Sequence, residues 1–228
     1  MSGVQYTWHR ISDLRPRTFK TTTTNQFTMI RLTLLFVSVI FSCARFSSGD
    51  EAPPAKDYSH VNTDALAYCR DKGFCTNYYF LVDLSIHSGR NRFFVYDFKG
   101  KKVLAQNLVT HGTCDAFEAN ATRNEKARLS NRVDSHCSAK GKNKVAQRDY
   151  SNWGINVKYW LDGLEEGNSN ARSRVIVLHS WDAMANEEVY PNYSPLSWGC
   201  PAVSDAFMRV LDAKLQATKK PVLLWIVD

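Results

Sequence analysis

The residues best suited to covalent chemistry are in two stretches, Ser197-Trp198-Gly199-Cys200-Pro201 and Val175-Ile176-Val177-Leu178-His179-Ser180. A cysteine attacks as its thiolate, and a nearby imidazole both takes the thiol proton and stabilises the anion. Cys200 ends a tight Ser-x-Gly turn, which would present its thiol to a substrate carbonyl. His179 closes an apolar, β-branched run and is expected at a strand edge. Gly199 suits a backbone that approaches substrate closely, and neighbouring N–H groups could then steady a developing oxyanion. The plain alternative is a buried hydrophobic Cys200 and a satisfied core His179, because 21 residues of separation do not establish contact.

Cysteine usage bears on this choice. The apolar run 30–41 follows Met29, is interrupted only by Arg31, Thr33 and Ser38, and is followed by small residues at 42–44 and 47–49. A basic start, a short apolar core and small residues form the pattern of a secretory signal, and the run is shorter than the roughly 20 apolar residues a membrane span needs. The polar tract 1–28 is unusual before such a core, so Met29 is the expected start, with a long basic leader as the alternative. Ile40-Phe41-Ser42-Cys43 resembles a lipoprotein attachment motif, poorly at Phe41, so Cys43 is a candidate for lipidation and membrane attachment. Either outcome sends the chain to an oxidising compartment. There the five remaining cysteines leave one unpaired. Pairing Cys69 with Cys75, and Cys114 with Cys137, leaves Cys200 free; other pairings remain open.

Charge excludes one class of function. The chain carries a formal net charge of +7, but residues 1–49 hold six Lys/Arg and one Asp. The rest, with 23 Lys/Arg and 21 Asp/Glu, is nearly balanced. Nucleic acid is therefore not an expected partner.

The elements that must position the two residues follow from period and punctuation. Residues 1–49 read as the N-terminal extension and signal, 50–61 with Pro53-Pro54 as a linker, and 62–228 as one domain large enough for a core. A helix is expected over 62–69, then a β-meander over 78–86, 93–98 and 103–110. Residues 113–150 are polar and read as a functional loop or unresolved short strands. Strands are expected over 152–161, 175–178 and 222–227. Helices are expected over 181–190 and, behind a Ser204/Asp205 cap, over 204–215. The fold class is mainly β with short helices (α+β).

Several pieces occur in one order: Val109-Thr110-His111-Gly112, Leu129-Ser130-Asn131, Cys137-Ser138-Ala139-Lys140-Gly141, Leu161-Asp162-Gly163-Leu164-Glu165, the run from Asn168 to His179, and Ser197-Trp198-Gly199-Cys200-Pro201-Ala202. Together they resemble the murein L,D-transpeptidase catalytic domain (YkuD-type), in its SWGCPA-bearing branch, over roughly residues 75–228. The resemblance implies a β-sandwich and a cysteine acyltransferase acting on peptidoglycan stem peptides in a bacterial envelope or periplasm, with no cofactor. By position it makes Cys200 the nucleophile and His179 the base, with the Ser180 main-chain carbonyl orienting the imidazole. Gly199 and Cys200 N–H groups become oxyanion donors, and Ser197 the turn residue. Trp198 stands where most members carry a second His, and no basic residue follows Pro201, two departures at positions that help place substrate in the wider family.

Weaker assignments accompany these. His111 either lines the cleft or ends a strand. Trp198 and Trp153 either stack on sugar or peptide or fill the core. His136 reads as a loop residue, and Asn168, Asn170 and Arg172 as braces of a turn. Rival functions are an L,D-carboxypeptidase or other cysteine peptidase, a non-catalytic wall-binding module, and a metal hydrolase. The last would draw on His87, His111, His136 and His179, but no HExxH, HxH or CxxC spacing is present, so no metal site is expected.

Overall fold

The Tyr78–Asp83 segment (β1) is buried at every position, because both faces of the sheet it enters are covered. A computed structural model describes residues 56–114 and 124–228, within one unit spanning Pro54–Asp228. The expected signal and Cys43 lie outside the described residues. β1 is followed by Phe93–Asp97 (β2), Lys102–Asn107 (β3), Gly141–Tyr150 (β4), Val157–Gly163 (β5), Val177–Ser180 (β6), Ala202–Val203 (β7) and Val222–Val227 (β8). They form one eight-stranded sheet in the order β3-β2-β1-β8-β4-β5-β6-β7. The β1–β8 and β6–β7 pairs are parallel and the others antiparallel. The described residues thus form a mainly β single domain with two α-helices and a short 3-10 turn at Glu166–Asn168.

The two helices cover opposite faces. Ser59–Asp71 (α1) lays Ala65 and Cys69 on the face made by Tyr79, Leu81, Phe94 and Leu223. Asp205–Gln216 (α2) sets Phe207, Met208 and Leu211 on the other face, against Phe80, Phe93, Leu178 and Leu224. Each such side chain contributes about 1.5–3 kcal/mol when fully buried. Ser204 caps α2 by accepting the Phe207 N–H at 3.3 Å, as its sequence predicts. Helix α1 begins at Ser59, three residues before the expected start, so its first turn falls in the stretch read as linker.

Three expectations need correction. Residues 141–150 are a full strand. Gly141, Asn143 and Val145 are buried while Lys142 and Lys144 alternate with them as half-buried positions, Lys142 with its ammonium over the Trp225 ring, and pairing to both β8 and β5 supplies the core that the polar sequence lacks. Residues 181–190 are turns, not helix, and Val189 and Tyr190 donate their N–H groups to the Gly89 carbonyl. Cys69 and Cys75 are free and buried, not paired. They belong to different hydrophobic clusters, Cys69 under α1 and Cys75 in the α2-side core. Burial pushes the Cys69 thiol up to about 12, and neighbouring Cys75 adds to this. The second expected pair, Cys114–Cys137, is a disulfide.

Candidate active site

Strand β6 carries His179 between two partners, Lys158 of β5 and Ala202 of β7. The imidazole is therefore inside the sheet and not past its edge, and it is buried. Its Nδ1 lies 2.9 Å from the Ser180 carbonyl oxygen. A carbonyl can only accept, so Nδ1 carries the proton and Nε2 presents a lone pair. Burial holds the His179 pKa below the ordinary imidazole value; the Ser180 carbonyl pulls it up and Lys158 pushes it down. The Ser180 hydroxyl is occupied elsewhere, accepting the Ile155 N–H at 2.9 Å.

Parallel pairing of β6 with β7 puts Cys200 two residues ahead of the direct partner of His179. The turn that holds it is tied to segment 110–113. Ser197 N–H donates to the His111 carbonyl at 2.9 Å, and Thr113 N–H to the Ser197 carbonyl at 2.8 Å. The Cys200 carbonyl accepts two hydroxyls, Ser197 Oγ at 2.7 Å and Thr110 Oγ1 at 2.8 Å. Thr110 Oγ1 also accepts the Ala202 N–H at 2.9 Å. Ser138 Oγ accepts the Gly112 N–H at 3.1 Å and donates to the Gly199 carbonyl at 3.4 Å. Thr110 and Ser138 had no assigned role in the sequence, where nothing separates them from ordinary strand and loop hydroxyls.

Gly199 adopts φ +104°, and a Cβ there would lie 2.6 Å from the Cys137 carbonyl oxygen. Both the backbone and the space demand glycine. Its N–H, expected to face an oxyanion, instead donates to Ser197 Oγ at 3.1 Å. The Cys200 N–H has no hydrogen-bond partner among the described residues and is the remaining donor of the pair.

The Cys200 sulfur rests on backbone. It accepts the Val177 N–H at 3.5 Å and donates to the Val175 carbonyl at 3.6 Å. Val175 holds that carbonyl in place from φ +57°, a left-handed conformation that is costly for a β-branched residue. Burial pushes the thiol pKa up, opposed by the Val177 N–H, Arg174 and Lys158. The resting sulfur is therefore a thiol, and no hydrogen bond joins it to His179.

Arg174 was quoted in the sequence only as part of a motif. Its guanidinium donates to the Ser130 carbonyl at 2.8 Å and to the Cys137 carbonyl. It also lies beside Gly199, with Nη2 3.3 Å from the position a Cβ there would take.

The remaining candidates divide. His111 is 1% exposed, too buried to line a cleft openly. Its Nδ1 accepts from Arg92 Nη2 at 2.8 Å, and Arg92 is itself fully buried with its guanidinium on the Val109 carbonyl. His111 thus supports the turn from behind. Trp198 is 71% exposed and stacks on His136, with ring centroids 4.8 Å apart. Trp153, 55% exposed, meets Trp181 edge-on at 5.9 Å, so neither Trp198 nor Trp153 is a core residue. His87 packs against Tyr190 and Tyr193. Among the described residues no three His, Cys, Asp or Glu side chains gather as a metal site, and no helix is long and apolar enough to cross a membrane.

Comparison with known proteins gives one family. The model of the L,D-transpeptidase catalytic domain (YkuD_2) matches residues 55–224. No curated protein matches the chain. Among solved structures, the chain is similar to the Ldtfm–avibactam carbamoyl enzyme (13% identity, 67% of this chain and 49% of that one, TM-score 0.39). It is similar to Bd1075 of Bdellovibrio bacteriovorus (14% identity, 68% and 49%, TM-score 0.40). A third is an L,D-transpeptidase of Xylanimonas cellulosilytica (14% identity, 70% and 68%, TM-score 0.37). The chain spans about half the length of the first two. With the family match running through both β6 and the Cys200 turn, the chain belongs to the L,D-transpeptidase catalytic domain family.

Proposed function

We propose that this protein is a cysteine-dependent L,D-transpeptidase acting on peptidoglycan stem tetrapeptides, exported to the cell envelope behind the signal-like run 30–41. One observation carries the reading: a buried, neutral imidazole with Nδ1–H fixed on the Ser180 carbonyl, one strand pairing away from the Cys200 turn. In a chain of this family, that arrangement is a base awaiting a thiol.

Cys200 Sγ leaves the Val175 carbonyl and passes its proton to His179 Nε2. The sulfur then bonds to the carbonyl carbon of the third stem residue. The C–N bond to the following D-Ala breaks, and His179 returns the proton to the departing amine. An acceptor amine attacks the thioester, loses a proton to His179 and forms the new amide, while Cys200 leaves as thiolate and is reprotonated. A positioned base contributes about 10²–10⁴-fold to such a reaction and an oxyanion donor about 10²–10³-fold. The Cys200 N–H fills the donor role, and exposed Trp198 and Trp153 offer stacking surfaces to sugar or peptide.

The test is intact-protein mass spectrometry of the purified chain with disaccharide-tetrapeptides, with Cys200→Ala as control. A Cys200 adduct and a crosslinked dimer are expected. An adduct with tripeptide alone would make the protein a carboxypeptidase. No adduct on folded protein with Cys200 reduced and the Cys114–Cys137 bridge intact would reject the catalytic reading in favour of a binding module. Attachment through Cys43 is read in the same way, as a lipid mass on protein recovered from membranes.

A further inference from the structure

We propose that Arg174 is a positioning residue that sets a fixed positive charge against the Cys200 turn, locks that turn to the disulfide-bearing loop, and so makes the sulfur reactive. The inference rests on the reading of Cys200 as nucleophile.

Arg174 bounds Cys200 from both directions along the chain. Its own backbone leads directly to Val175, whose carbonyl takes the Cys200 thiol, and to Val177, whose N–H meets the sulfur. Its guanidinium lies against Gly199, the residue before Cys200. Two carbonyls hold it there, Ser130 and Cys137, and Cys137 is fixed in turn by its disulfide to Cys114. The side chain has little freedom to swing away.

Arg174 forms no ion pair with a carboxylate among the described residues, and its partners are neutral oxygens. The other cation near the sulfur, Lys158, lies 3.6 Å from Asp149 and over the Trp160 ring. Among the described residues Arg174 is therefore a charge without a carboxylate partner beside the buried thiol; burial pushes the thiol pKa up and lowers that of Arg174, which the Cys200 anion would restore. A cation at this point stabilises the thiolate, and with it the transfer of the proton to His179. A guanidinium also has five N–H groups in a rigid planar fork, so it grips the two carbonyls in a fixed geometry that the compact lysine ammonium on its flexible stem does not reproduce.

The experiment is the pH profile of Cys200 alkylation by iodoacetamide, followed by intact mass in the full chain, with Cys200→Ala reporting any reaction at Cys43, Cys69 or Cys75. Arg174→Gln keeps a donor and loses the charge; Arg174→Lys keeps the charge and loses the fork. The proposal expects Arg174→Gln to raise the midpoint by about one pH unit, which makes alkylation near neutrality roughly tenfold slower. Arg174→Lys should recover most of that shift. Equal midpoints in wild type and Arg174→Gln, or equal losses in the Gln and Lys variants, would overturn it. Should either variant fail to fold, the wild-type chain carries the test. The ¹⁵N resonance of Arg174 Nε should titrate with the alkylation midpoint and stay flat in Cys200→Ala; a flat wild-type resonance would also overturn the proposal. An inert Cys200 in folded wild type would instead remove the nucleophile reading beneath it.

Discussion

His179 donates its Nδ1–H to the carbonyl oxygen of Ser180, its own neighbour in the chain, at 2.9 Å. The orienting group is thus main chain, which no side-chain substitution removes. Ser180→Ala should keep kcat within a few-fold of wild type. It should also lower stability by about 1–3 kcal/mol, because the Ile155 N–H loses its acceptor. His179→Gln should reduce turnover by about 10²–10⁴-fold. Steady-state kinetics beside urea melts separate the two effects, and a collapse of kcat in Ser180→Ala would reject the main-chain role.

The pH dependence follows from the same contact. Burial lowers the His179 pKa, so the imidazole stays neutral, and able to accept a proton, below its ordinary titration range. The acid limb of kcat/KM should therefore have its midpoint below about 6.5, the unperturbed histidine value. A midpoint above that would place the base in an environment that favours its charged form, contrary to the geometry.

Gly199→Ala tests the turn. The new methyl would meet the Cys137 carbonyl at 2.6 Å, and φ +104° is strained for any residue with a Cβ. About 1–3 kcal/mol of stability should be lost, together with most activity, since the clash falls on the carbonyl that also holds Arg174. A fully active variant of normal melting temperature would show that the turn relaxes freely.

Asp83 governs acid stability on the α1 side. Its buried carboxylate accepts Lys56 Nζ at 2.8 Å, Tyr58 OH at 2.6 Å and Ser85 Oγ at 2.6 Å. Burial alone would raise its pKa, but these bonds win and hold it below the usual aspartate value. A depressed carboxylate contributes its full stabilisation above its unfolded pKa and loses it as pH falls through the lower, folded value. Asp83→Asn should cost about 1–3 kcal/mol at neutral pH, and the gap to wild type should shrink below about pH 4. Urea denaturation at neutral and acid pH measures this; a constant gap would assign the loss to packing.

The Cys114–Cys137 bridge should matter to activity as well as to folding. Opening a loop with a sequence separation of 23 costs about 3 kcal/mol in the chain-entropy account. It also frees the carbonyl beside Gly199 and the His136 ring under Trp198. The double variant Cys114→Ser/Cys137→Ser should still fold and yet lose at least tenfold in kcat/KM, a penalty of the size a loosened site brings. Unchanged kinetics would make the bridge a purely structural staple.

What could be read directly from the chain were the features with local causes. The 78–98 hairpin shows in its aromatic runs and turn residues, and α2 in its cap and apolar spacing. The demand for glycine at 199 shows in a short motif, and the thiol of Cys200 and the imidazole of His179 stand out as candidate reactive groups because their chemistry is carried by residue type. Strand β4 did not show, because its polar face is half of its sequence and its hydrophobic support comes from β8, about 80 residues later. Cys69 and Cys75 looked like a pair by spacing, yet each thiol is free and they fall in separate clusters, Cys69 under α1 and Cys75 in the α2-side core. Arg174 was mute for the same reason: an arginine before an apolar strand is ordinary until the fold brings the Ser130 and Cys137 carbonyls to it. Composition and motif thus determined which groups can do chemistry, since reactivity belongs to the side chain. Only the tertiary structure decided which N–H groups are already engaged, which carbonyls hold Arg174 and which thiols meet, since those depend on contacts between segments far apart in the chain.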